Sequence, residues 1–97
     1  MNYKITRILE YNNPEFNYIK LAEELAELSE VVLKMYVKNL ENRPPMSKLI
    51  EEMGDVLLRM RILAIQEKIN VAVNERVEQK ANKLMEYIEQ GKYKGGV

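Results

Sequence analysis

Prolines that could stop a helix inside the chain occur at one place only, Asn42-Arg43-Pro44-Pro45; Asn12-Asn13-Pro14 precedes that cluster, and Gly91, Gly95 and Gly96 follow it near the end. Proline removes a backbone donor and clashes with the preceding turn, so long stretches without it are free to run as helix. Apolar residues three and four apart fill those stretches. Ile5, Ile8 and Leu9 mark a short helix over residues 2–11. Leu21, Leu25, Leu28, Val32 and Met35 or Tyr36 mark a long one from Glu15 to Leu40. Leu49, Met53, Val56, Met60 and Leu63 mark a third, from Met46 or Ser47 to Lys68, and Val73, Val77, Ala81, Leu84 and Ile88 a fourth over residues 71–90. Gly91 is the expected C-terminal stop, and the KYKGGV tail is expected to be loose. No period-two alternation competes. The expected fold is all-α, an antiparallel bundle of about four helices.

Ninety-seven residues fit one domain, residues 1–97. Fifteen basic and fifteen acidic side chains balance, so no basic field points to a nucleic acid polymer. With no cysteine and no histidine, thiolate chemistry, zinc–thiolate sites and the usual general base are excluded. No apolar run reaches signal-peptide or membrane-span length, so a cytoplasmic protein with no membrane partner is expected. An apolar fraction of 46% is more than one small bundle can cover, and self-association is expected.

Against this background two acidic clusters stand out, Glu23-Glu24-Leu25-Ala26-Glu27 and Glu51-Glu52-Met53-Gly54-Asp55. Residues three apart on a helix are surface neighbours, so Glu24 with Glu27 and Glu52 with Asp55 each form a two-carboxylate claw. Most helical glutamates are simply solvated, and Glu30 with Lys34 or Asp55 with Arg59 have the spacing of ordinary i,i+4 ion pairs. Glu24, however, shares its line with Leu28, Val31 and Met35, and Glu52 shares one with Val56 and Leu63. Carboxylates on an apolar line need a cationic partner, and oxygen-only ligands select Mg2+, Mn2+ or Ca2+. Gly54, unfavourable by about 1 kcal/mol in a helix interior, is expected to admit another backbone or a ligand beside the second claw. A tight hairpin would leave the claws about 9 Å out of step, a difference that the connector from Leu40 to Pro45 can span.

Glu24-x-x-Glu27, then 24 residues, then Glu52-x-x-Asp55 resembles the E-x-x-E and E-x-x-D signature of the MazG-like all-α nucleoside triphosphate pyrophosphohydrolases. The stretches LAEELAELSEVV and LIEEMGDVLLRMRILA are similar to that family's two metal-binding helices, and the likeness extends over about residues 15–90. The resemblance implies a homodimer or homotetramer that cleaves a nucleoside or deoxynucleoside triphosphate to the monophosphate and pyrophosphate with Mg2+, or Mn2+ in its place. It implies Glu24, Glu27, Glu52 and Asp55 as metal ligands. It also implies phosphate contacts from the last core helix, for which Lys80, Asn82 and Lys83 are the matching residues, with Arg59 a further candidate. After Lys83 the chain reads LMEYIEQ rather than a basic run, a departure from the larger relatives. Glu23, Glu30 and Glu51 are open as general base. Asn12, Asn13, Phe16 and Tyr18 are open as neighbours of a base, Asn13 and Phe16 foremost, although a helix entry explains Pro14 and Phe16 equally well. The alternative reading is a non-catalytic helical module that binds a partner or senses a nucleotide.

Overall fold

A computed structural model describes residues 2–36 and 41–95. They form α1 (Asn2–Tyr11), α2 (Pro14–Tyr36), α3 (Met46–Gln66) and α4 (Asn70–Glu89), with no strand among the described residues. The expected end of the second helix at Leu40 and the last residues of the tail lie outside that description. Local chemistry explains each described boundary. Pro14 occupies the first helical position of α2, where its missing N–H costs nothing, and the Asn13 side-chain oxygen accepts the Glu15 N–H at 3.0 Å as the cap. Pro44 and Pro45 precede α3, whose first free amide, that of Lys48, returns to the Pro45 carbonyl at 2.9 Å.

The body of the molecule is the antiparallel pair α2/α3. Asn17 near the start of α2 meets Gln66 at the end of α3, whereas Lys34 near the described end of α2 shares a cavity with Lys48 in the first turn of α3. The residues turned inward follow alternating steps of three and four: Asn17, Leu21, Glu24, Leu28, Val31 and Met35 on α2, and Leu49, Glu52, Val56, Arg59, Leu63 and Gln66 on α3, with Ile62 fully buried beside them. This is the seam of an antiparallel coiled coil. It is rotated from the expected stripes: Leu25, Val32 and Tyr36 on α2 and Met53 and Met60 on α3 are exposed. Both helices carry two apolar lines, and one chain has a partner surface for only one of them.

The seam ends in a chain of amides. Asn17, 1% exposed, accepts from Asn12 Nδ2 at 2.9 Å and donates to Gln66 Oε1 at 2.6 Å, while Gln66 Nε2 donates to the Pro14 carbonyl at 3.3 Å. Buried amides need partners, so this network ties the α1–α2 connection to the end of α3 and specifies one register. Ile5, buried, anchors α1, which packs on α3.

The fourth helix is present as expected but is covered least. It touches α3 but has no buried residue; Val73 and Leu84 are half covered, and Val77 and Ile88 are exposed. The radius of gyration is 16.9 Å, against about 12.5 Å for a compact domain of this length. None of the described helices is long and apolar enough to cross a membrane.

The same C-terminal motif closes α3 and α4 with different residues. After α4, Gly91 takes a left-handed φ of 69°, its N–H reaching Ile88 O at 3.1 Å and that of Lys92 reaching Tyr87 O at 2.8 Å. After α3, Lys68 takes the same conformation at φ 59°, with Lys68 N to Ile65 O at 3.1 Å and Ile69 N to Ala64 O at 2.9 Å. Both are Schellman closures, but a Cβ in that region is strained. Lys68→Gly is therefore expected to stabilise the fold by about 0.5–1 kcal/mol, after allowing for glycine's entropy when unfolded, and Gly91→Ala to destabilise it by about 1 kcal/mol. Denaturant melts of the two variants would check the opposite signs.

Candidate metal centre

Halfway along the seam the inward line reaches Glu24 on α2 and Glu52 on α3. These two and Asp55, one turn after Glu52, each bring a carboxylate oxygen within 4.8 Å of one from each of the others. Glu52 is 4% exposed, Glu24 half-buried and Asp55 exposed, so the group runs from the interior to the surface. Three of the four expected claw carboxylates, Glu24, Glu52 and Asp55, are thus brought together.

Two oxygens in this group lack a partner. Glu24 Oε2 and Glu52 Oε2 are buried without a hydrogen bond. A buried acceptor left unmade costs roughly 1–3 kcal/mol, more when charged, and a cation held by both oxygens would offset that cost. The donors are all carboxylate oxygens, the set that suits Mg2+, Mn2+ or Ca2+. The residues present thus fit a hard divalent ion.

Glu27, fourth of the expected ligands, is exposed and stands beside the three rather than among them. It shares their field: the Glu24 charge foremost, then loss of hydration and the Glu52 charge, hold its carboxyl above the usual range. Among the described residues, Lys48 is a close cation to Glu52. Lys48 Nζ lies 3.0 Å from Glu52 Oε1 and 3.3 Å from Glu51 Oε2, and these two carboxylates raise the lysine above its ordinary value. Lys48 was not singled out from the sequence, although its position four residues before Glu52 is the signal that finds it.

The remaining candidates lie elsewhere. Glu23 pairs with Lys20 at 3.3 Å, and Glu30 pairs with Lys34 at 2.8 Å, whose hydrogen bond lowers the Glu30 carboxyl. The expected Asp55–Arg59 pair is not formed among the described residues; Arg59 instead lies over the Phe16 ring, 5.9 Å from its centre, where the π face attracts the guanidinium. Asn13 is engaged as the α2 cap. Tyr18 is exposed, and its phenol is raised by a hydrogen bond to Glu67. Lys80, Asn82 and Lys83 are exposed on α4, and Lys83 sits 5.9 Å from the ring centre of Tyr87 on its own helix. A Cβ on Gly54 would meet nothing within 4 Å, so none of the described residues makes the close approach expected there.

With saturating Mg2+ at about 100 times its Kd, linkage adds roughly 2.7 kcal/mol, a rise in melting temperature on the order of 10 °C for a chain of this size. Glu24→Gln and Asp55→Asn are expected to abolish that rise. Glu27→Gln should raise the melting temperature in EDTA at pH 7, because it removes a carboxylate whose native value is held high. Relative to that variant, the wild type gains stability as pH falls through the raised Glu27 value, where the proton relieves the repulsion, and the difference closes. Scanning calorimetry across pH would detect it.

A family model described as the MazG nucleotide pyrophosphohydrolase domain matches residues 12–89. No curated protein and no solved structure shows a significant match.

Proposed function

The chain belongs to the MazG nucleotide pyrophosphohydrolase family, and from that premise we propose that it hydrolyses a nucleoside or deoxynucleoside triphosphate to the monophosphate and pyrophosphate with Mg2+, or Mn2+ in its place. The observation that carries this reading is the pair of partnerless buried oxygens, Glu24 Oε2 and Glu52 Oε2, in a three-carboxylate group on an otherwise mainly apolar seam. A purely structural bundle has no use for them.

Glu24, Glu52 and Asp55 would hold the ion, with Glu27 joining from the adjacent turn. The ion would supply charge neutralisation for the triphosphate. Water adds its oxygen to the α-phosphorus, the bond from that phosphorus to the α,β-bridging oxygen breaks, and pyrophosphate leaves with the bridging electron pair. The water's proton must be taken up. Glu23, Glu30 and Glu51 are the carboxylates open for that role, and Glu30 lines the cavity that also holds Glu27 and Glu52. The amide and aromatic groups at the start of α2 border the nucleoside side, with Phe16 the ring available to it.

Self-association completes the reading. The chain exposes 8033 Å2, whereas a folded monomer of 11.4 kDa exposes about 5,800 Å2. The excess, about 2,200 Å2 per chain, is in the range of an obligate interface. The outer apolar lines, Leu25 and Val32 on α2 and Met53, Leu57 and Met60 on α3, are the surfaces to be covered. Lys80, Asn82 and Lys83, remote from any observed contact with the carboxylates, would then contribute to phosphate binding in the assembled dimer or tetramer.

Purified protein should release pyrophosphate, and not orthophosphate, from at least one of a panel of triphosphates. Glu24→Gln and Asp55→Asn should lower the rate at least 100-fold with helicity unchanged by circular dichroism. Activity surviving both substitutions would remove the carboxylate group from the mechanism. Light scattering should give the mass of a dimer or tetramer; a monomer at micromolar concentration would contradict the surface argument.

A further inference from the structure

Two lysines stand where the carboxylate group opens toward the start of α3. Lys34 and Lys48 line a cavity of about 460 Å3 whose other walls include Glu27, Glu30, Val31 and Glu52. At roughly 30 Å3 per water molecule, that space holds on the order of fifteen waters, ample for two phosphoryl groups. Each ammonium is already engaged: Lys34 with Glu30 at 2.8 Å, Lys48 with Glu52 at 3.0 Å and Glu51 at 3.3 Å. Both lysine side chains are nonetheless about half exposed, at 53% and 45%, so these are readily exchanged surface pairs on flexible stems.

Charge decides what such a cavity accepts. Three carboxylates face two ammoniums across it, so on its own it repels an anion. Glu52 belongs both to the carboxylate group and to the Lys48 pair, and this shared membership couples the two. Lys48 reaches Glu52 Oε1 while Glu52 Oε2 stays open to a cation, so the half-exposed ammonium keeps its place beside the carboxylate and can turn a further donor toward an anion in the cavity. The anion that accompanies the ion in this reaction is a polyphosphate.

We propose that Lys48 and Lys34 bind the β- and γ-phosphates, so that the leaving pyrophosphate occupies the cavity between the described end of α2 and the start of α3. This rests on the pyrophosphohydrolase reading above. It also gives the site a direction. Pyrophosphate lies toward Lys34 and Lys48, the carboxylates hold the middle, and the nucleoside points toward Phe16 and Arg59 at the opposite end of the seam. The lysines have the chemistry for this role, three rotatable donors on a compact charge.

Isothermal titration of inorganic pyrophosphate into the full chain, with and without saturating Mg2+, tests the assignment. Wild type should bind pyrophosphate only with Mg2+. Lys34→Met and Lys48→Met should each weaken that binding at least fivefold, while the thermal shift produced by Mg2+ alone changes less than twofold in apparent affinity. Lys48→Arg should keep most of the pyrophosphate affinity. Lys34, at the surface and paired with Glu30 among the described residues, guards against the case in which Lys48→Met disturbs folding. If wild type binds pyrophosphate and both methionine variants bind it equally well, the lysine assignment is overturned with the parent reading intact. Parallel loss of Mg2+ and pyrophosphate binding in both variants would also overturn it, since the lysines would then be arranging the carboxylates. If wild type binds neither Mg2+ nor pyrophosphate, the parent reading fails and takes this one with it.

Discussion

The pairing of α2 with α3 along a single heptad seam governs the rest of the molecule, because the other two helices contribute little burial of their own. Ile5 is the one fully covered side chain described on α1, and α4 has none. Register along that seam is therefore the quantity that matters. A slip of one heptad would keep apolar residues facing apolar residues in several layers while changing which side chains surround Glu24, Glu52 and Asp55. The amide chain Asn12–Asn17–Gln66 opposes such a slip, since any other register would leave buried donors and acceptors unmade. Asn17 stands two turns before Glu24 on the same face, so what pins one places the other.

That seam also shows where stability is set against chemistry. Leucines at positions 24 and 52 would bury apolar area at roughly 25 cal/mol per Å2; glutamates there leave two buried oxygens without partners. Lys48 offsets part of the penalty at Glu52 by reaching one oxygen and leaving the other open. The result is a carboxylate held in place from one side. Arg59 and Phe16 make a second polar contact across the helices between this group and the amide chain, so the inner face changes character three times along its length.

Much of this was legible in the sequence, and the failures have a common cause. Starts and stops follow from backbone chemistry that does not depend on tertiary context: Pro14, Pro44-Pro45 and Gly91 act where they stand, and the helix over residues 2–11 is found as expected. The carboxylate group was legible because Glu24 and Glu52 fall on apolar lines. Which apolar line becomes the seam was not, because α2 and α3 each offer two and periodicity does not rank them. Lys68 gave no signal either: a lysine in the left-handed region is a conformation imposed by the α3–α4 turn, not one that the residue type announces. Arg59 was paired on paper with Asp55 by spacing alone, but an aromatic face on the neighbouring helix competes for the same guanidinium.

Gly54 links the seam to the surface. A glycine in a helix interior is unfavourable by about 1 kcal/mol, and here no atom of the described residues approaches closely enough to require it. It lies between Glu52 and Asp55 in sequence, next to the exposed Met53 and one turn before the exposed Leu57 and Leu58. The apolar line left uncovered by the seam therefore runs past the carboxylate group with its side-chain bulk removed at that point. A surface that is apolar, extended beyond what a monomer of this mass exposes, and flattened beside the centre is suited to receive a second helix. Covering it would exclude water from the outer side of α3 and lower the local dielectric around Asp55, the one member of the group that a single chain leaves exposed. Assembly through this line would thus act on the centre's electrostatics as well as on stability.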